Sequence, residues 1–172
     1  MDWTQAVEDI VQKYSGQGGG TAAAPEDVHQ DFHQVAQVAP QDAVASGISQ
    51  AFQSDQTPPF PQMLSNLFNH SDPNQKAGLL SKLVSSAGPG ALSALPGLSG
   101  LSSILGSQRV MPDQANQISP SQVQQMAEHA QRQNPSIVDE VSSFYAQHPQ
   151  VMKAAGGLAL TVALQHILKR GQ

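Results

Sequence analysis

From residue 25 onward, apolar side chains return every three or four positions, and proline opens one new series after another. Val28, Phe32, Val35 and Ala39 form a stripe after Pro25, and Val44, Ile48 and Phe52 form the next after Pro40. This period puts each stripe on one face of an α-helix and predicts helices over 25–39 and 40–53. Proline fits the first helical turn, where its missing N–H has no intrahelical partner to lose. The pattern continues after a turn at 54–61, with Phe60, Met63, Leu64, Leu67 and Phe68. Asp72-Pro73 then restarts the chain, and Ala77, Leu80, Leu83 and Val84 carry a helix to a stop at Gly88. Ser119-Pro120 with Gln122 reads as a capping box ahead of Val123, Met126, Ala127 and Ala130. Asn134-Pro135 begins the next helix, with Val138, Val141, Phe144 and Tyr145 inward, and His148-Pro149 opens a closing helix to about Arg170. Residues 107–117 read as the least structured interior stretch.

Three segments depart from this rhythm. At the N-terminus, Trp3, Val7, Ile10, Val11 and Tyr14 fall on one narrow helical face, and the Gly-rich tether 15–24 follows. A helix this short is marginal alone in water, so it must dock, on its own domain or on a neighbour. In the central run, 88–106, Leu92, Leu95, Leu98, Leu101 and Ile104 recur at three-residue spacing, which no single α-helical face can bury. Pro96-Gly97 breaks the run into two short predicted helices, 89–95 and 97–105. Toward the C-terminus, Ala155, Ala159 and Ala163 make a small-residue stripe inside an uncharged stretch too short to cross a bilayer. That helix belongs at the centre of the domain, in a subunit contact, or on a membrane surface.

The two halves also match weakly at an offset of 95 residues: Pro25 with Pro120, Val28 with Val123, Gln30 with Gln125, Pro40 with Pro135 and Ala51 with Ala146. The shared proline spacing sets the length of one helix and the bend into the next, and suggests two similar helical hairpins around the Gly/Leu run. The predicted architecture is an all-α bundle of about eight or nine short helices, with an arm and tether over 1–24 and a single helical domain over 25–172.

Composition changes the picture of the surface. Only 12% of the 172 residues are charged, well under the usual quarter, and the net charge is −5. The polar surface must therefore be built largely from the 24 glutamines and from serine, which oppose self-association weakly. Residues 1–75 carry nine acids and one base, whereas 76–172 carry four acids and seven bases, a polarity that would suit head-to-tail contacts between copies. With eight basic residues and no basic stripe, nucleic acid is not expected as a partner. The chain has no cysteine, and its acidic amphipathic start fits no signal peptide, so a cytoplasmic location is expected.

Chemistry is sparse. Glu26, His29 and His33 share one helical flank, and an E-x-x-H pair with a further histidine has metal-ligand character. No second E-x-x-H accompanies it, and the flank lies roughly 80 to 120° from the apolar stripe, so these side chains are expected to face solvent. There is no G-x-S-x-G elbow, and SGQGGG lacks the lysine of a P-loop. The pairs Glu8-Asp9, Glu26-Asp27 and Asp139-Glu140 diverge on a helix and read as solvated surface. No catalytic residue and no cofactor is predicted.

The Gly/Leu/Ser run followed by ISPSQVQQMAEHA, 118–130, resembles small bacterial proteins of the YidB type, which pair Gly/Leu-rich segments with an "ISP" helix start. The stretches VAQVAP, SDQTPPF and NPSIVDEVSSFYAQHP are similar to segments of other bacterial helical proteins. The resemblance implies an all-helical fold and carries no established activity, so it transfers no functional residue. Together these readings predict a non-enzymatic structural protein that forms homo-oligomers or serves as an accessory subunit of a larger complex. Self-association is assigned to Trp3, Val7, Ile10, Tyr14, Ala155, Ala159 and Ala163. The alternatives are a peripheral membrane or lipid-binding protein and a helical metal-binding protein through Glu26, His29 and His33.

Overall fold

A computed structural model of the chain describes Gln5, Asp9, Ile10 and residues 25–88, 90–94 and 109–171. Among the described residues there is no strand, and the protein is all-α. The helices are α1 (Pro25–Val38), α2 (Gln41–Gln53), α3 (Phe60–His70), α4 (Pro73–Ala87), α5 (Ala91–Ala94), α6 (Pro112–Ala115), α7 (Pro120–Gln133), α8 (Ile137–Ala146) and α9 (Gly157–Gly171), with a 3₁₀ segment at Val151–Ala155.

Local chemistry sets the boundaries. Asp72 accepts from the Gln75 N–H at 2.9 Å while the Gln75 side chain accepts from the Asp72 N–H at 3.1 Å, a reciprocal cap with Pro73 in the first turn of α4. Ser119 and Gln122 repeat the arrangement at α7, at 3.3 Å and 2.9 Å. Gly88 ends α4 with φ at 84° and its N–H on the Val84 carbonyl, a backbone conformation that side chains disfavour.

The chain divides into two compact units. The first joins Met1–Thr57 to Ser142–Gln172, and the second is Pro58–Val141. In the first unit α9 is the central element, packing on α2, on α1 and on the 3₁₀ segment. Val28, Phe32 and Val35 of α1, Val44, Ile48 and Phe52 of α2, and Ala159, Leu160, Ala163, Leu164 and Ile167 of α9 are all buried. In the second unit α7 packs on α3 and α4, and α6 packs on α4. Phe60, Leu64, Leu67 and Phe68, Leu80 and Leu83, and Val123, Met126 and Ala130 are buried there. The Val110 N–H donates to Ser81 Oγ at 3.2 Å, and the Lys76 ammonium stands 5.3 Å from the Phe68 ring centroid.

Several expectations need correction. The closing helix is not continuous from Pro149 to Arg170: a 3₁₀ segment ends at Gly156, whose φ is 93°, and α9 starts at Gly157. The proline repeat does set equal lengths for α1 and α7, 14 residues each, but their successors differ, 13 residues for α2 and 10 for α8. One residue of the difference arises at the start, where Pro135 and Ser136 form a turn whereas α2 begins directly after Pro40, and the other two at the far end, where α8 stops at Ala146. The charge polarity of the sequence halves does not become a polarity of units. The first unit contains eight acids and four bases, because the basic tail of α9 belongs with the acidic α1 and α2.

Of the predicted N-terminal helix, Gln5, Asp9 and Ile10 are helical and Ile10 is buried, while Trp3, Val7 and Tyr14 lie outside the described residues. Most of the central run lies outside them as well, apart from Gly88 and residues 90–94, which include α5.

Candidate functional site

In the first unit several chemistry-bearing residues line one cavity of about 150 Å³. The helical spacing of α1 places His29 and His33 one turn apart, on either side of buried Phe32. Across from them, the chain leaves α8 through a turn in which the Val151 N–H donates to the His148 carbonyl at 3.1 Å and the Met152 N–H to the Pro149 carbonyl at 3.2 Å. This turn winds into the 3₁₀ segment and brings Pro149, Gln150 and Lys153 to the cavity wall, while Leu160 of α9 completes it.

His29 and His33 are half-buried rather than solvent-facing. The helical wheel misses this because the turn that covers their flank comes from more than a hundred residues later in the chain. Gln37 Nε2 donates to His33 Nδ1 at 3.3 Å, which orients that ring from within α1. The Glu26 side chain, the third member of the predicted metal set, lies outside the described residues. Among the described residues no group of three His, Asp or Glu side chains is placed to hold a metal ion. Among the described residues that line the cavity beside the two histidines, Lys153 brings a cation.

The other histidines are dispersed. His166 of α9 shares a hydrogen bond with Ser46 Oγ of α2 at 3.2 Å. Burial lowers its pKa below the usual 6.5, and the charges of Arg170 and Lys169 act in the same direction. His70 Nδ1 donates to the Asn66 carbonyl at 2.9 Å near the end of α3, and the His148 ring lies 4.9 Å from Phe144. Asp139 and Glu140 are exposed, as adjacent acids on a helix are expected to be.

The small-residue stripe has a defined place. Ala159 and Ala163 are buried, and Ala155 belongs to the 3₁₀ segment, out of helical register with the other two. The close backbone approach that such a stripe permits is made within the chain, where Gly47 of α2 faces the Ala163 carbonyl. Large apolar side chains left exposed among the described residues are Val38, Met111 and Leu158, the last at 65% of its full exposure. No described helix is long and apolar enough to cross a membrane. Lys153, Gln150 and Leu160 are cavity residues to which the sequence assigns no site role. Lys153 stands out in the sequence only as the boundary of an apolar run, and nothing in linear spacing ties it to His29. No family model matches this chain, and no curated protein or solved structure matches it either.

Proposed function

We propose that this chain is a non-enzymatic helical protein that works through protein contacts, assembling with copies of itself or sitting as an accessory subunit in a larger complex. The observation that carries this reading is the chemistry of the outward positions. Gln30, Gln34 and Gln37 are exposed along α1, and Ser121, Gln125 and Gln133 along α7. Neutral amides and hydroxyls give copies little charge repulsion to overcome on approach. The exposed Leu158 and Met111 add apolar area that a partner would cover.

Light scattering of the purified chain at micromolar concentration, at low and at high salt, tests the self-assembly. An oligomer that persists at both is the expected result, and a clean monomer at both removes it. Deleting residues 1–20 lowers the assembly state if the face of Trp3, Val7, Ile10 and Tyr14 is exchanged between subunits. An unchanged particle size assigns that face to its own chain.

A further inference from the structure

The described methionines fall into two classes. Met63 of α3, Met126 of α7 and Met152 of the 3₁₀ segment are each at most 1% exposed, so their sulfurs are packed away from water. Met111 is 61% exposed. This is not the exposure of a loose end. On one side Val110 is buried and its N–H donates to Ser81 Oγ of α4 at 3.2 Å, and on the other Ala115 is buried and its N–H donates to the Met111 carbonyl at 3.0 Å. The Met111 N–H itself donates to Gln114 Oε1 at 3.1 Å. Both backbone groups of Met111 are thus engaged, and its side chain stands out from an anchored segment. Thiolates and thioethers are the side chains that peroxides oxidise, and the chain has no cysteine, so methionine sulfur is its peroxide-reactive group.

We propose that Met111 is a site of reversible oxidation to the sulfoxide by hydrogen peroxide. A lone pair of the thioether sulfur attacks one peroxide oxygen and the O–O bond breaks. The sulfur keeps that oxygen, whose proton passes to the departing hydroxide, and water leaves; sulfur gives up two electrons and the peroxide takes them. The product puts a polar group where an exposed apolar side chain stood. Because the segment is held by backbone hydrogen bonds and by buried Val110 and Ala115, the fold survives the change. An exposed sulfoxide also stays within reach of the reductases that reverse it. The modification is read from the single chain and does not need the assembly reading; a partner seated on Met111 would slow the reaction.

The test treats the full chain with hydrogen peroxide, below and above the concentration at which light scattering detects any oligomer, and follows oxygen uptake at each methionine by peptide mass mapping. In the dilute chain Met111 is expected to react about tenfold faster or more than Met63, Met126 and Met152, which can react only through opening of the fold. The same ratio in the concentrated sample places Met111 outside any contact between copies and a smaller ratio places it inside one, and both uphold the site. Chain oxidised at Met111 alone, by brief exposure, is expected to keep its melting curve and to return to the starting mass with the two methionine sulfoxide reductases, one for each sulfoxide epimer. Met111 reacting no faster than the three buried methionines in the dilute chain, a lowered melting curve, or a sulfoxide that the reductases leave in place would each overturn the proposal.

Discussion

A Cβ placed on Gly47 would stand 2.6 Å from the carbonyl oxygen of Ala163 and 2.6 Å from Cγ1 of Ile167. The α2 and α9 backbones therefore touch at this point, and the glycine is required by space, not by backbone conformation. Gly47→Ala gains about 1 kcal/mol of helix propensity but must push a helical carbonyl that has no rotamer to escape into. We expect a net loss of about 2 kcal/mol in urea denaturation, and more for Gly47→Val. Stability equal to or above that of the parent chain would show that the two helices do not approach this closely.

Gly156 and Gly157 are neighbours with opposite requirements. Gly156 has φ at 93° with nothing within 4 Å of an added Cβ, so Gly156→Ala is disfavoured by conformation alone, by about 1–3 kcal/mol. Gly157 also has open space beside it but no left-handed backbone, and it begins α9. Gly157→Ala should stabilise the protein by up to about 1 kcal/mol. Thermal unfolding of the two single variants, one shifted down and the other up, checks the pair. Equal shifts in one direction would contradict the break at Gly156.

The burial of His166 implies a pH dependence of defined sign. Burial, with Arg170 and Lys169 adding, favours the neutral imidazole in the folded state. As pH falls below the usual value of 6.5, the unfolded chain takes up this proton first. The stability from this group is thus complete above that value and is lost as pH falls toward the folded-state pKa. Denaturation midpoints measured from about pH 7.5 down to about pH 5 should fall less steeply for His166→Gln than for the parent chain. Parallel curves would mean that the imidazole is no better shielded when folded than when unfolded.

At α7, Ser119→Ala removes the side-chain acceptor of the Gln122 N–H and should cost about 1 kcal/mol, while Ser119→Asp should keep most of it. Loss of the same size from both substitutions would point to packing at Ser119 instead of capping.

Helix starts were the most legible feature of this sequence, because their cause is local. Asp72-Pro73 with Gln75 and Ser119-Pro120 with Gln122 carry their own hydrogen-bond partners within four residues. The stripes through Phe32, Ile48, Leu64 and Met126 pointed inward as their period required, and all four are buried. The break at Gly156 was written in the Gly156-Gly157 pair, but the apolar run around it made a continuous helix the simpler pattern. The cavity was not legible, since His33 and Lys153 meet only when α1 and the 3₁₀ segment both settle on α9. Nor was the charge arrangement: a ledger of sequence halves assumes that halves stay apart, and the α9 tail returns to the acidic end.

A unit assembled from the two ends of the chain also imposes an order on synthesis. Pro58–Val141 is contiguous and can close as soon as it has emerged, whereas α1 and α2 have no seat until α9 is made. At about 5–20 residues per second, the ribosome needs roughly 5–20 s to travel from the end of α2 to the start of α9. Phe32, Ile48 and Phe52 lack their native α9 cover during that interval, and exposed apolar surface of this kind is what makes incomplete chains prone to aggregate.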